Sequence, residues 1–385
     1  MDLQLTSEQE MIRQVAREFA DKELLPTAAH FDELQEFPTA LWKKLGEMGM
    51  MGLLIPEEWG GAGVDTVSYV LALEEIARGN PALSTAMSVN NSLTCYGIWK
   101  FGTTEQKRKY LIPLAQGQKL GGYCLTEAES GSDAAKMRAT ATLQGDKYLL
   151  NGSKMFITSG ISGHIYLAFA VTDKTKGSNG ISCFIVEKSF PGFKVGKKLD
   201  KLGMRASDTT EIIFENCEVP VENLLGNEGE GFKLALQLLD GGRIGIATQA
   251  LGIAQAAYEF ALQYANERQQ FGHKIYDFQA IQFMVADMAT RIEAARLLVH
   301  KAASQRDQGK SVGLEASMAK LFASETAMKV TTDAVQIYGG YGYIKEYPVE
   351  RYFRDAKVTE IYEGTSQIQR LVIARNLLKS LAGTH

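Results

Sequence analysis

The chain has 385 residues, enough at about 150 per domain for two or three domains and a large core without disulfide or metal staples. Its 41 basic and 45 acidic side chains give a formal charge of −4, which removes the electrostatic footprint expected of a nucleic-acid binder. A content of 45% hydrophobic and 22% charged residues is ordinary for a globular chain and excludes disorder, collagen and coiled coil.

From residue 5 to about 115 the pattern is helical. Ser7 and Glu10 stand at capping-box spacing, and Met11, Ile12, Val15 and Phe19 mark one helix face. Pro26 and Pro38 punctuate the next segment, and the loop Gly60-Gly61-Ala62-Gly63 leads into a helical run through Leu71, Leu73 and Ile76. Asn80-Pro81 breaks that run before a further helix to about Phe101. Between about 119 and 220 the period becomes that of strands. Ala139 to Leu143 and Tyr148 to Leu150 flank a Gly145-Asp146 turn, and Asn151-Gly152 reads as a second turn. His164 to Val171, Ile181 to Val186 and Glu211 to Phe214 are further strands, so this part predicts a small β-barrel or sandwich. From Gly231 the chain is helical again, with long segments near 231–267, 276–308 and 312–338, then the loop Gly339-Gly340-Tyr341-Gly342. A last helix begins near Ser366, with Gln369 at capping-box spacing. The expected domains are an α-helical 1–118, a strand-rich 119–228 and an α-helical 229–385, an α+β multidomain chain.

Cys95, Cys124, Cys183 and Cys217 form no CxxC pair and read as buried thiols in a reducing compartment. The start, with Met1, Asp2, Gln4 and Glu8, has no basic or apolar region of a signal peptide, and no run of 18 apolar residues occurs. A cytoplasmic chain without a membrane span is expected. The standard motifs fail in turn. Gly340-Tyr341-Gly342 lacks the third glycine of a dinucleotide fingerprint. Gly309-Lys310-Ser311 has a P-loop ending, but Ser304 stands where its first glycine belongs. No G-x-S-x-G is present. His30, His164, His273, His300 and His385 are scattered, so no metal site and no Cys–His pair is signalled.

Four local clusters remain. Tyr123-Cys124-Leu125-Thr126-Glu127, continuing through Ser130-Gly131-Ser132-Asp133, lies where helix gives way to strand. Thr126 offers a hydroxyl and Gly131-Ser132-Asp133 offers backbone N–H groups to an anion; otherwise the segment is a solvated loop. Met155-Phe156-Ile157-Thr158 puts an aromatic beside a hydroxyl at a strand exit, which suits a flat ring or a core residue followed by a turn. In Arg268-Gln269-Gln270-Phe271-Gly272 the arginine either meets a helix dipole or clamps a phosphate. In Ile361-Tyr362-Glu363-Gly364-Thr365-Ser366, Glu363 is either a charge favoured at a helix start or a general base raised in pKa by apolar neighbours.

In this order along a helix–strand–helix chain, the clusters resemble the acyl-CoA dehydrogenase family over essentially the whole length. Ser88-Val89-Asn90-Asn91-Ser92-Leu93, Gly242-Arg243-Ile244-Gly245-Ile246-Ala247 and Gln249-Ala250-Leu251-Gly252-Ile253-Ala254-Gln255-Ala256 carry a closer resemblance to its short-chain, butyryl branch. The resemblance implies an N-terminal helical domain, a middle β-barrel and a C-terminal four-helix bundle, assembled as a homotetramer. FAD would lie in the cleft between domains and reach the subunit interface. Tyr123, Leu125, Thr126, Gly131, Ser132, Phe156, Ile157 and Thr158 would contact its ring system. A neighbouring subunit would bring Arg268, Phe271, Gln279, Gln336, Ile337, Gly339 and Gly340 to the pyrophosphate and adenosine, and Thr365 and Gln367 would complete the flavin contacts. Ser132, Asp240, Arg243, Tyr362 and Gly364 match positions along the acyl-CoA path.

Glu363 matches the family's base, which takes the α-proton of an acyl-CoA while a β-hydride leaves for FAD, giving a trans-2-enoyl-CoA. Electrons then pass to an electron-transfer flavoprotein. Some branches carry the base on the long helix instead; Gly242 fills that position here and cannot act as one. Many relatives carry Trp where this chain has Phe156, which keeps a stacking face but loses a donor. Branched or carrier-protein-bound acyl groups, an acyl-CoA oxidase and a non-catalytic acyl-CoA-binding protein are the alternative readings.

Overall fold

The computed structural model describes residues 4–381. Before the sheet lie helices α1 Ser7–Phe19, α2 Ala28–Leu34, α3 Thr39–Glu47, α4 Thr66–Gly79, α5 Pro81–Ser88, α6 Tyr96–Phe101, α7 Thr104–Gln106 and α8 Ile112–Ala115. The π-helical stretch Val89–Cys95 joins α5 to α6. The cap of α1 falls one residue before the expected Ser7. Thr6 Oγ1 accepts from Gln9 N at 3.2 Å, and the Gln9 side chain accepts from Thr6 N at 3.0 Å. Met11 and Val15 are exposed, and the buried stripe is carried by Ala16 and Phe19 with Ile12 partly covered. Helix α4 is buried almost all round, because α1, α9 and α10 pack on different sides of it.

The strands are β1 Gly121–Cys124, β2 Thr140–Gln144, β3 Lys147–Thr158, β4 Ile165–Val171, β5 Ile181–Glu187, β6 Phe193–Lys198, β7 Thr209–Pro220 and β8 Leu224–Leu225. They form one sheet in the order β6-β7-β3-β2-β4-β5-β8, with β1 parallel to β4. That hydrogen-bonded path ends at β6 and β8. The Gly145-Asp146 turn joins β2 to β3, with Gln144 opposite Lys147. Asn151-Gly152 does not turn the chain. It lies inside β3, where the register against β7 shifts between Leu150 and Gly152, and Gly152 takes up the irregularity at φ 131°. A second shift, between Lys154 and Ile157, carries Phe156 at φ 60°.

After the sheet come α9 Gly231–Glu267, a small hairpin of β9 Gln269–Gln270 and β10 His273–Lys274, α10 Gln279–Asp307, α11 Gly313–Tyr338, α12 Val349–Ala356 and α13 Ser366–Leu381. Helices α9, α10, α11 and α13 form the C-terminal bundle, in which α11 packs on each of the other three. Alanines on the facing sides, among them Ala247, Ala250 and Ala254 of α9 and Ala319, Ala323 and Ala327 of α11, are fully buried. The same hydrophobic core extends from Ala16 to Ala356, so the helices before and after the sheet share one interior. The start of α13 differs from expectation. Thr365 Oγ1 accepts from Ile368 N at 3.3 Å, while the Gln369 side chain turns back to the preceding loop instead of closing a capping box on Ser366. The four cysteines are free and buried. Among the described residues no helix is long and apolar enough to cross a membrane.

Candidate active site

The Tyr362-Glu363-Gly364 turn enters α13 in a conformation that local sequence alone does not favour. Glu363 has φ 51° and Gly364 φ 95°, and a left-handed non-glycine residue costs roughly 1–2 kcal/mol. Side chains from three helices hold it. Lys320 of α11 donates to the Gly364 carbonyl at 2.7 Å. Gln369 of α13 donates to the same carbonyl at 2.9 Å and lies 3.3 Å from that of Glu363. Tyr362 donates to Gln249 Oε1 of α9, whose amide nitrogen reaches Pro81 O at 2.9 Å and the Ser84 and Thr85 hydroxyls at 2.8 Å.

This clamping delivers one carboxyl oxygen, Glu363 Oε2, to a position out of contact with water and without a hydrogen-bond partner. Glu363 as a whole is half-buried, but its Oε2 is covered. Burial pushes its pKa up to about 7, against the lowering effects of Lys320 and Arg243. Arg243 is buried, pairs with Asp240 at 2.7 Å, and leaves its Nε without a partner. Burial raises Asp240 above the ordinary carboxylate range, with Arg243 and Arg306 opposing. Tyr69 of α4 and Tyr123 of β1 both lie within the field of Glu363; burial pushes Tyr69 up to about 12 and Tyr123 well above the usual phenol range. Tyr123, Asp240, Arg243, Tyr362, Glu363 and Gly364 are thus gathered where α4, α9, α11 and β1 meet.

The loop after β1 is fastened to β3. Glu127 and Ser130 exchange backbone bonds at 3.1 Å, and Met155 N donates to Thr126 O at 2.8 Å. Beneath them Lys154, fully buried, donates to Glu127 Oε1 at 2.7 Å and to Leu125 O at 3.2 Å. Glu127 also accepts from Arg138 N at 2.6 Å and Ala139 N at 3.0 Å. The result is a rigid rim with Thr126 and Thr158 half-buried, Gly131 and Ser132 exposed, and the Phe156 ring 63% exposed beside them. Leu125 and Ile157 differ from the others: their side chains lie in the core, so only their backbone faces the rim.

A second group lies at the far end of the bundle. Arg268, Ile337, Gly339 and Gly340 line a cavity of about 390 Å³ with Tyr264, Tyr338 and Tyr341. Tyr264 and Tyr338 stack at 4.0 Å between centroids, and the Arg268 guanidinium lies 5.2 Å from the Tyr341 ring. Phe271 is 92% exposed nearby in sequence, and Gln279 and Gln336 are exposed at the start of α10 and near the end of α11. Thr365 caps α13, and Gln367 is exposed one residue into it. From Arg243 to Arg268 along α9 the distance is about 37 Å at 1.5 Å per residue, so these two groups of one chain are far apart.

Sequence reasoning missed Lys320, Gln369, Gln249, Tyr69 and the Lys154–Glu127 pair. One signal for Lys320 was available: it interrupts the buried stripe of Ala316, Ala319, Ala323 and Ala327, where a charge needs a reason. The remainder depend on contacts between segments remote in sequence.

Family profiles of the acyl-CoA dehydrogenase N-terminal, middle and C-terminal domains match residues 6–118, 122–217 and 229–378. The short-chain specific acyl-CoA dehydrogenase of Clostridium acetobutylicum is 52% identical over 379 residues, covering 98% of this chain and all of that one. The structure of butyryl-CoA dehydrogenase from Megasphaera elsdenii superposes with a TM-score of 0.97 at 48% identity, covering 98% of this chain and 100% of that chain. A chain in a structure described as the electron transferring flavoprotein of Acidaminococcus fermentans is 54% identical, with the same TM-score of 0.97 over 98% of this chain and 100% of its own. The protein is therefore a member of the acyl-CoA dehydrogenase family.

Proposed function

We propose that this protein dehydrogenates short-chain acyl-CoA thioesters to trans-2-enoyl-CoA, with FAD as cofactor and an electron-transfer flavoprotein as acceptor. The observation that carries the reading is the Glu363 carboxyl oxygen, buried without a hydrogen-bond partner. An orphaned buried carboxylate destabilises a fold unless something else uses it. The names of the short-chain specific and butyryl-CoA relatives support the substrate class, and the Acidaminococcus structure supports the acceptor.

Glu363 takes the α-proton. Its raised pKa matches the task, because a base near neutrality is strong enough to accept a proton and still ionised at working pH. No backbone carbonyl among the described residues accepts the Glu363 N–H, which leaves it to polarise the thioester oxygen as the α-carbon acquires negative charge. Burial of the Glu363 carboxyl group strengthens both interactions. Ser132, Asp240, Arg243, Tyr362 and Gly364 would line the thioester path. On the same face of α9, a side chain at Gly245 would overlap Ser88 Oγ and lie 3.1 Å from the Tyr69 hydroxyl, and one turn on Gln249 is fully bonded.

The residues present fit FAD. The rim offers an exposed aromatic, two hydroxyls and an open glycine, Gly131, with no atom within 4 Å of a would-be side chain. Tyr123, Leu125, Thr126, Gly131, Ser132, Phe156, Ile157 and Thr158 would hold the ring system, with Thr365 and Gln367. Bound FAD supplies the acceptor for the β-hydride. Arg268, Phe271, Gln279, Gln336, Ile337, Gly339 and Gly340 would serve the pyrophosphate and adenosine of FAD in a neighbouring copy, since their own Glu363 is a bundle length away; this supports a homotetramer. We place the domain boundaries at 118/119 and 228/229 and the protein in the cytoplasm. The test is a visible spectrum of the purified protein followed by anaerobic addition of butyryl-CoA. Bleaching of the flavin band, with slow reoxidation by oxygen, is expected; a flavin that stays oxidised rejects the substrate class.

A further inference from the structure

Lys320 is a fully buried lysine on the alanine-rich face of α11, among Ala316, Ala319 and Ala323. Its ammonium makes one hydrogen bond, to the Gly364 carbonyl, and has no carboxylate within ion-pair distance among the described residues. Burying an ammonium with so little compensation is unfavourable, and an apolar residue of that size would pack at less cost. Nor is it needed to satisfy the carbonyl, which Gln369 already serves at 2.9 Å. What Lys320 adds is its charge. The other cation facing the base, Arg243, is largely claimed by Asp240 at 2.7 Å.

We propose that Lys320 is the positioning residue of the base: it tethers the left-handed Glu363–Gly364 turn to α11 and supplies the buried positive charge that keeps the Glu363 side chain ionised. This rests on the reading of Glu363 as a base. The titratable and charged groups facing Glu363 are Lys320 from α11, Arg243 from α9, Tyr69 from α4, Tyr123 from β1 and Tyr362 on its own turn. Those facing Lys320 are Glu363, Arg243 and Glu360, the last paired with Lys357 at 2.5 Å. Burial lowers Lys320 to about 8, with Glu363 opposing that shift and Arg243 adding to it.

The test compares FAD-loaded wild type with Lys320→Met, which removes charge and donor, Lys320→Gln, which keeps a donor, and Lys320→Arg, which keeps the charge. The pH midpoint of the Glu363 carboxyl band is read by infrared difference spectroscopy, the band being identified by its loss in Glu363→Gln. Met and Gln are expected to raise the midpoint by about one pH unit or more, and Arg to leave it near wild type. The acid limb of kcat/KM for butyryl-CoA should move with it. Unchanged midpoints in both Met and Gln overturn the proposal, even if turnover falls, because a purely structural lysine would not set the proton affinity of Glu363. Should Lys320→Met not retain FAD, the converse is read in Glu363→Gln. Linkage requires the lysine to lose the proton affinity that the carboxylate supplied, visible in the pH titration of its 13Cε resonance; no change there also overturns it. The infrared midpoint needs no turnover, so a protein inert toward butyryl-CoA would reject the proposed substrate without touching this result.

Discussion

The missing side chain of Gly242 points at the carboxylate of Glu363: a Cβ there would overlap Oε2 and lie 3.0 Å from the carboxyl carbon and from Leu93 Cδ2. Two positions from different parts of the chain therefore address one point in space. That geometry explains how a base could be carried on either the α9 helix or the α13 entry turn, and why only one of the two can hold a side chain here.

Gly242→Ala is expected to fold and to keep FAD, because the added methyl meets a side chain and not a backbone. It should displace the carboxylate and lower kcat by about tenfold to a hundredfold, in line with a misplacement of the order of 1 Å. Single-turnover reduction by butyryl-CoA is the measurement; a rate equal to wild type would mean that Oε2 is not where the proton is taken.

Glu363→Gln keeps shape and hydrogen-bonding capacity but cannot accept the proton. Reduction by butyryl-CoA should fall by about 10²- to 10⁴-fold with the flavin spectrum retained.

The pH dependence follows from the raised pKa of Glu363. As pH falls through about 7 the carboxylate protonates and the base is lost, so kcat/KM should drop about tenfold per unit on the acid side. Stability runs the other way. The folded pKa of about 7 exceeds the ordinary 4.5, so the folded state holds this proton more tightly than the unfolded one. Stability from this group is full below about 4.5 and is lost as pH rises through about 7. Glu363→Gln should therefore raise the Tm relative to wild type more at pH 8 than at pH 5, as differential scanning calorimetry would record.

The Lys154–Glu127 pair lies under the rim, with Lys154 fully buried and Glu127 nearly so. Lys154→Met leaves the Glu127 carboxylate buried beside two backbone N–H groups, a loss on the order of 3–5 kcal/mol for a broken buried pair. FAD content after dialysis and Tm should both fall. Retention of FAD at the wild-type level would show that the rim does not depend on this pair.

Much was legible from local pattern. The long helices of 231–267 and 312–338 and the Gly145-Asp146 hairpin follow from periodicity and turn chemistry, which act over a few neighbouring residues, whereas the four motif clusters took on roles only through their resemblance to a family. Asn151-Gly152 shows the limit: its turn propensity yields to pairing with β7, which absorbs it as a bulge inside β3. The capping of α1 and α13 shows another, since Thr6 and Thr365 won over their neighbours through geometry at the chain entry.

By itself the sequence determined the order of helix, strand and helix and the absence of the common nucleotide and hydrolase motifs, and its resemblance to a family singled out Glu363 as the candidate base. Tertiary structure alone decided that Oε2 is buried and unpartnered, that Gly242 leaves it room, and that Lys320 reaches the next carbonyl. It also decided that Arg268 lies a bundle length from its own Glu363. The physical reason is the same in each case. A pKa, a cavity and a span depend on which remote segments pack together, and no short-range pattern encodes that choice.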